Sequence, residues 1–443
     1  MSSLTTAADR GAGAAVARKS PMIAVVLCWI AVLLDGFDMV VLGVVLPAMM
    51  EDPQLQLTAA EGTQISTAGL FGMMLGALAI GRLTDAVGRR WVIIGSVFSF
   101  SVLTLFLGFV DQLWLFVLLR FLAGVGLGGC MPTAISMVTE FRGRAKAGSS
   151  ATFTTTGYHV GAVLTALLGI VMLADFGWQS LFIAGALVGI AVTPIMIWKL
   201  PESPQFLQSK GRDEEAERLA AAYGIELNDE IDAAAEREDA KGFSSLLTPR
   251  YRRNTIFIWL TSFMGLLLVY GLNTWLPQIM READYDMGNS LGFLLVLNVG
   301  AVVGLIIAGR ISDKTNPRST GILWFVLSGV FLALMAIKLP LIALYAIVFL
   351  TGIFVFSSQN LVYGFVGANH PSYLRATAMG GAAGVGRLGA ISGPLLGGLL
   401  LSLGMAHPWS FFAYAAVGFL GAALFAVTRS LRVTRKMHVT HPQ

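Results

Sequence analysis

Apolar residues run along most of the chain in long blocks, broken at regular intervals by charged or turn-forming residues. Reading block by block predicts helices at about 22–50, 60–81, 91–110, 112–140, 147–173 and 178–199. A second set follows at about 254–280, 288–309, 319–337, 341–366, 373–403 and 408–429. Each block is close to or above the roughly 20 residues of helix that a bilayer core requires. Between the two sets, residues 200–253 turn abruptly polar. There the DEEAERLAAA run from Asp213 and the EIDAAAERE run from Glu230 read as short surface helices rich in charge pairs. The expected fold class is an all-α membrane protein with twelve transmembrane helices in two pseudo-symmetric six-helix bundles. The expected parts are a disordered tail over 1–21, an N-terminal bundle over 22–199, a linker over 200–253, a C-terminal bundle over 254–430 and a second tail over 431–443.

An internal repeat supports the division. Gly81-Arg82-Leu83-Thr84-Asp85 returns as Gly309-Arg310-Ile311-Ser312-Asp313, 228 residues later, each time between the second and third spans of its set. Two halves built on one plan imply a pseudo-twofold axis along the membrane normal, with a substrate route between them.

Composition sharpens this picture. Hydrophobic side chains make up 56% of the 443 residues and charged ones 13%, against about 25% charged in an average soluble chain. A soluble domain is excluded, and the 50 glycines suit closely packed membrane helices. A net charge of +4 is compatible with nucleic-acid binding, but its distribution explains it otherwise. Of the 30 Lys and Arg, 26 fall in the tails, the linker and the loops on one side, whereas only Arg281 and Lys338 fall on the other. That asymmetry sets both termini in the cytoplasm, with the lipid bilayer as partner and no nucleic acid. Residues 1–21 lack the apolar core of a signal peptide and the run from Met22 is too long to be one, so the first span is expected to be retained. Cys28 and Cys130 lie in apolar runs and read as buried free thiols without a metal role.

The remaining charges lie where they are expensive. A charged side chain at the bilayer centre costs about 3 kcal/mol on insertion scales, so each is a functional candidate. Asp35 and Asp38 fall at or just beyond the midpoint of the first span. At 1.5 Å per residue Asp38 lies about 3 Å, and Arg120 of the fourth span about 9 Å, toward the outer side, within mutual reach. Arg387 occupies the midpoint of the eleventh span, and Tyr158 and His159 that of the fifth. An arginine stays protonated and offers a planar fork that fits a carboxylate, so Arg387 is the candidate anchor for an anionic substrate. Asp38 beside Arg120, and Asp35 as second candidate, are placed to take and release a proton. The bland readings are an Asp38–Arg120 tie between helices, an Arg387 bonded to backbone carbonyls, and a His159 that only packs. Asn273, Asn298, Gln359, Asn360 and Tyr363 could orient a hydroxylated ring, and Trp275, Tyr270 and Phe37 could pack on its faces, or all could serve as interhelical glue.

In the stretch Gly81-Arg82-Leu83-Thr84-Asp85-Ala86-Val87-Gly88-Arg89-Arg90 the glycines permit a tight connection. Asp85 can accept hydrogen bonds from helix ends or from Arg144, with Glu140 joining the network, and such contacts would lock an outward-facing state; Asp313 marks the second copy. No HExxH, GxSxG, Walker A loop or cysteine cluster is present, which argues against an enzyme or an ATP-driven pump.

The ten-residue motif at Gly81 and its degenerate copy resemble the major facilitator superfamily signature, and the likeness in plan covers residues 22–430. Pro201-Glu202-Ser203-Pro204 is shared with sugar porters and other relatives. More selective are Asp35-Gly36-Phe37-Asp38, the run Arg120-Phe121-Leu122-Ala123-Gly124 through Gly128-Gly129-Cys130-Met131-Pro132 to Glu140, and Gly386-Arg387-Leu388-Gly389-Ala390-Ile391 with Gly393-Pro394. Together these resemble the aromatic acid:proton symporters, bacterial importers of benzoate, hydroxybenzoates, protocatechuate or gentisate. The resemblance implies proton-coupled uptake that requires Asp35, Asp38, Arg120 and Glu140, with His159 as a further candidate, and a place for Arg387 at the binding cavity. It implies a small aromatic anion and a proton as partners and a bacterial cytoplasmic membrane; no cofactor beyond that coupling ion is expected, and a monomer can do this work. A sugar or other metabolite symporter, an efflux exchanger and a non-transporting receptor are the alternatives. The second motif copy departs from the pattern, with Asn316-Pro317-Arg318 in place of Gly-Arg-Arg.

Overall fold

The computed structural model describes residues 20–53, 55–143, 147–225, 243–370 and 372–430. The tail expected at 1–21, except for residues 20 and 21, the whole tail at 431–443 and the Glu230 run fall outside those residues, as does Arg144. Among the described residues are twelve helical spans long and apolar enough to cross a bilayer, as in a multi-pass membrane protein.

The first half comprises α1 (Met22–Glu51), α2 (Ala59–Val87), α3 (Arg89–Leu107), α4 (Leu113–Leu127), α5 (Cys130–Arg142), α6 (Ala147–Phe176) and α7 (Gln179–Lys199), with α4 and α5 sharing one span. Two short helices follow, α8 (Pro204–Ser209) and α9 (Asp213–Tyr223), and then a 3₁₀ turn at Phe243–Leu247. The second half comprises α10 (Arg252–Glu282), α11 (Met287–Lys314), α12 (Pro317–Met335), α13 (Leu341–Asn369), α14 (Ser372–Ser402) and α15 (Trp409–Val427).

The halves repeat one packing plan. In the first, α1 packs on α6, α2 on α4 and α3 on α7; in the second, α10 packs on α14, α11 on α13 and α12 on α15. The closest crossings need residues without a side chain. A Cβ on Gly36 would lie 2.0 Å from the carbonyl oxygen of Tyr158, and one on Gly389 would lie 2.1 Å from that of Phe263.

Two local expectations are corrected. The fourth span is not one unbroken helix over 112–140, because it breaks at Gly128–Gly129 between α4 and α5. Pro132 has no N–H for the Gly128 carbonyl, which removes the helical bond that would bridge the break. The motif at Gly81 is not a loop throughout: α2 continues to Val87, and the turn is confined to Gly88 at φ 97°. In the second copy Asn316 accepts from the Arg318 amide (2.9 Å) and Pro317 starts α12, so an asparagine cap replaces the glycine turn.

The apolar core is asymmetric across the membrane. On the side away from the linker, one cluster joins both halves, running from Val40–Met49 of α1 to Leu267–Met280 of α10 and Leu291–Leu297 of α11. On the linker side each half keeps its own core, one around Cys28, Ile93 and Met137, the other around Ile258, Phe365 and Phe425. Glu51 of α1 and Arg281 of α10 pair across the closed face. The halves are therefore sealed at one face and parted at the face that carries the linker.

Candidate functional site

Where the seal ends, six helices bring polar side chains together between the halves. Arg387 of α14 is half-buried; its Nη1 donates to the Tyr270 hydroxyl of α10 (3.2 Å) and meets the Met73 sulfur of α2 (2.8 Å). A guanidinium has five N–H donors, and a thioether is a weak acceptor. Both contacts use Nη1, so Arg387 spans the two halves on soft partners with the rest of its fork uncommitted to them.

Asp35 of α1 is 1% exposed, and its Oδ1 has no hydrogen-bond partner among the described residues. It lies in electrostatic reach of Arg387 and of Asp38. Tyr158 of α6 directs its hydroxyl toward Tyr270 and lies in reach of Asp35 and Arg387. Tyr363 of α13 lies in reach of Arg387 and Tyr270. The cluster thus holds one cation, one facing carboxyl group and three phenols.

Asp38 and Arg120 meet as their depths predicted, but apart from that cluster. Arg120 Nη1 donates to Asp38 Oδ2 (2.7 Å), Arg120 Nη2 to the Asp38 carbonyl (2.8 Å) and Thr104 Oγ1 to Asp38 Oδ1 (2.7 Å). The pair is buried inside the first half, tying α1, α3 and α4. The adjoining void, lined by Phe37, Ser101 and Gly185 among others, is about 10 Å³, room for one water at most. Phe37 faces this void and packs on Gly185 of α7, so it is directed away from Arg387.

A second polar chain crosses the junction. Asn298 Nδ2 of α11 donates to Asn273 Oδ1 of α10 (3.1 Å) and to the Leu294 carbonyl (3.0 Å). The His159 ring of α6 lies edge-on to Phe356 of α13, with centroids 5.4 Å apart. The His159 ring faces the Asn298 side chain, and Asn273 Nδ2 is buried without a partner among the described residues. Gln359 Nε2 donates to Ser262 Oγ (2.9 Å), leaving its Oε1 unpartnered, while Asn360 is exposed one helical turn beyond Phe356 toward the linker side. Trp275 lies elsewhere: fully buried, it donates to the Pro394 carbonyl (2.9 Å) and plugs the sealed face.

Of the expected gate residues, Arg89 and Arg90 join a network with Glu140 on the linker face. Arg89 pairs with Glu140, and Ser203 Oγ donates to Glu140 Oε2 (2.5 Å). Glu202 Oε1 accepts from the amides of Arg90 (3.0 Å) and Ser203 (2.8 Å), and Arg90 Nη2 donates to the Ile197 carbonyl (2.5 Å). A Cβ on Gly88 would lie 2.3 Å from the Glu202 carboxylate, so glycine is needed there for space as well as for φ. Asp85 is exposed, and the Asp313 side chain falls outside the described ones. Sequence reasoning missed Met73, Thr104, Ser203 and Ser262 as partners; a methionine or a hydroxyl in an apolar run gives no pattern that would single it out.

Comparison with known proteins places this geometry. The family model described as Major Facilitator Superfamily matches residues 28–385 and 299–441. The chain is 34% identical to the gentisate transporter of Corynebacterium glutamicum, over 95% of this chain and 90% of that protein. It is 31% identical to the gallate transporter of Pseudomonas putida, over 94% of each. It is 30% identical to the benzoate transport protein of Acinetobacter baylyi, over 94% of this chain and 91% of that one. Among solved structures, a bacterial homologue of the lysosomal transporter Spinster, inward-facing and occupied, superposes with a TM-score of 0.74 at 17% identity, covering 93% of this chain and 98% of that one. The partially occluded inward-open xylose transporter XylE of E. coli gives 0.72 at 16%, covering 91% and 97%. A twelve-span chain with two like-packed halves, a polar cluster at their junction and these relatives belongs to the Major Facilitator Superfamily, a group of membrane transporters and not of enzymes.

Proposed function

We propose that this protein imports a small aromatic carboxylate of the benzoate, hydroxybenzoate, protocatechuate or gentisate type across a bacterial cytoplasmic membrane, together with a proton, by alternating access. The observation that carries the proposal is Arg387, set at the junction with two soft partners on opposite halves and in electrostatic reach of the unpartnered Asp35. The names of the relatives support the substrate class.

A substrate carboxylate exchanges the Met73 sulfur and the Tyr270 hydroxyl for a charge-assisted fork on Arg387. Tyr158, Tyr270 and Tyr363 supply ring faces and hydroxyls, and His159, Asn298 and Asn273 offer hydrogen-bonding groups for ring substituents. Once a substrate anion holds Arg387, Asp35 loses its counter-charge, and a buried carboxylate with no counter-charge is costly unless it takes a proton. Substrate and proton then travel together. Asp38 is the poorer carrier in this state, because its oxygens are filled and the void beside it is only about 10 Å³. With the linker face cytoplasmic, as the Lys and Arg asymmetry favours, the state described is inward-facing and sealed outside by α1, α10 and Trp275.

The test is uptake of labelled gentisate and 4-hydroxybenzoate into proteoliposomes under an inward proton gradient. Accumulation that benzoate competes and glucose does not, lost in Arg387→Gln, is the expected result. Equal competition by glucose, or full uptake by Arg387→Gln, would overturn the substrate assignment.

A further inference from the structure

A second, unrelated site lies on the outer surface of the first half, at the linker face. Between the α2–α3 turn and helices α8 and α9 runs a groove of about 1070 Å³. Four cationic side chains line it, Arg90, Lys210, Arg212 and Arg218, against two carboxylates, Glu202 and Glu215. Both carboxylates are engaged, Glu202 by backbone amides and Glu215 by Arg212 (2.6 Å). No carboxylate among the described residues pairs with Lys210 or Arg90; Lys210 rests over the Phe206 ring (5.7 Å) and Arg90 over Trp91 (5.1 Å). Arg218 pairs in turn with Glu214 (3.3 Å), so Lys210 and Arg90 are the groove's cations without a carboxylate partner among the described residues.

It also continues into a second, apolar space. Val87 and Trp91 line both the groove and a slot of about 380 Å³ between α2, α3 and α4, walled by Gly76, Ile80, Leu83, Val92, Gly95 and Gly126. The slot sits on the outward face of spanning helices, and a Cβ on Gly95 would meet nothing within 4 Å. Trp91, 47% exposed, stands where the two meet, and Trp198 with Lys199 (3.9 Å from its ring) lies close by at the end of α7. Exposed tryptophans beside basic residues mark the depth of lipid headgroups.

We infer that the α2–α3–α8–α9 groove and the α2–α3–α4 slot form one binding site for an anionic phospholipid. The phosphate-bearing headgroup lies among Lys210, Arg90, Arg212 and Arg218, and one acyl chain lies along the slot beneath Trp91. Charge complementarity selects the anionic class, and continuity with the apolar slot selects a lipid over a soluble phosphate. Bound there, a lipid would brace α8 and α9 against the α2–α3 turn, the segment that also carries the Arg89–Glu140–Ser203 network.

The test is native mass spectrometry of the delipidated full-length protein, titrated with phosphatidylglycerol or with phosphatidylcholine of identical acyl chains. The first phosphatidylglycerol should bind about tenfold more tightly than the first phosphatidylcholine. The preference should vanish in the surface variant Lys210→Gln/Arg218→Gln, and Gly95→Leu, which fills open space, should weaken both lipids. Excess glycerol 3-phosphate should not displace the lipid. Equal retention of the two lipids, an unchanged preference in the double variant, or displacement by glycerol 3-phosphate would each overturn the assignment.

Discussion

Replacing Asp38 with Asn separates a structural ion pair from a proton carrier. The carboxylate accepts from Arg120 at 2.7 Å and from Thr104 at 2.7 Å, and both members of the ion pair have side chains 3% exposed. Asn keeps the shape but leaves the Arg120 charge buried and unpaired, which costs about 3–5 kcal/mol. Spread over 443 residues that is a fall in melting temperature of about 3–5 °C. Arg120→Gln should do the same by exposing Asp38 to the same penalty. The double variant Asp38→Asn/Arg120→Gln should regain a good part of the loss, because a neutral amide pair carries no stranded charge. Asp35→Asn should leave the melting temperature nearly unchanged, since no described group depends on its charge for a hydrogen bond. The assay is thermal unfolding of each purified variant in one detergent, read by intrinsic fluorescence. An Asp38→Asn protein that melts with the wild type, or an Asp35→Asn protein destabilised as strongly, would refute the division of roles.

Three further outcomes follow from other parts of the molecule. Gly43→Val should disfavour the sealed face, because a Cβ there would lie 1.9 Å from the Asn273 carbonyl; spin-label distances across the linker face should shorten, the overpacking of about 1–3 kcal/mol shifting the populations at least fivefold. Ser203→Ala should loosen α8 from α5 by removing the bond to Glu140 and the cap on Phe206, costing about 1 kcal/mol and raising amide exchange across α8. Asp286 caps α11, and hydrogen bonds from the Asn289 backbone and side chain hold its carboxyl below the ordinary value of 3.8. A depressed folded-state value gives stability that is complete above 3.8 and is lost as pH falls through the lower value. Asp286→Ala should therefore cost about 1 kcal/mol at pH 7, with a gap to wild type that narrows below pH 3.8 in thermal melts.

Much of this architecture was legible because a bilayer imposes length and polarity on every span. The depth of a charge followed from counting residues, which is why Asp38 and Arg120 could be paired from sequence. Helix rotation was not legible: in spans apolar on every side, nothing distinguishes the face of Trp275 that seals against Pro394 from a face that meets a ligand. Phe37 shows the same limit, since it shares its motif with Asp35 yet turns toward Gly185. Counting also could not rank the two aspartates, because the ranking depends on Thr104 filling one and nothing filling the other. The break after Leu127 was written in Gly128, Gly129 and Pro132, but glycine and proline recur in other spans that stay continuous, as Pro47 does within α1.

The most direct measurement is the pH inside pyranine-loaded proteoliposomes when gentisate or 4-hydroxybenzoate is added outside, with no imposed gradient. Wild-type protein should acidify the lumen in step with substrate entry, whereas Asp35→Asn should admit substrate down its gradient with the lumen unchanged. Substrate entry without acidification in the wild type, or undiminished acidification in Asp35→Asn, would contradict the coupling of Arg387-bound anion to a proton on Asp35.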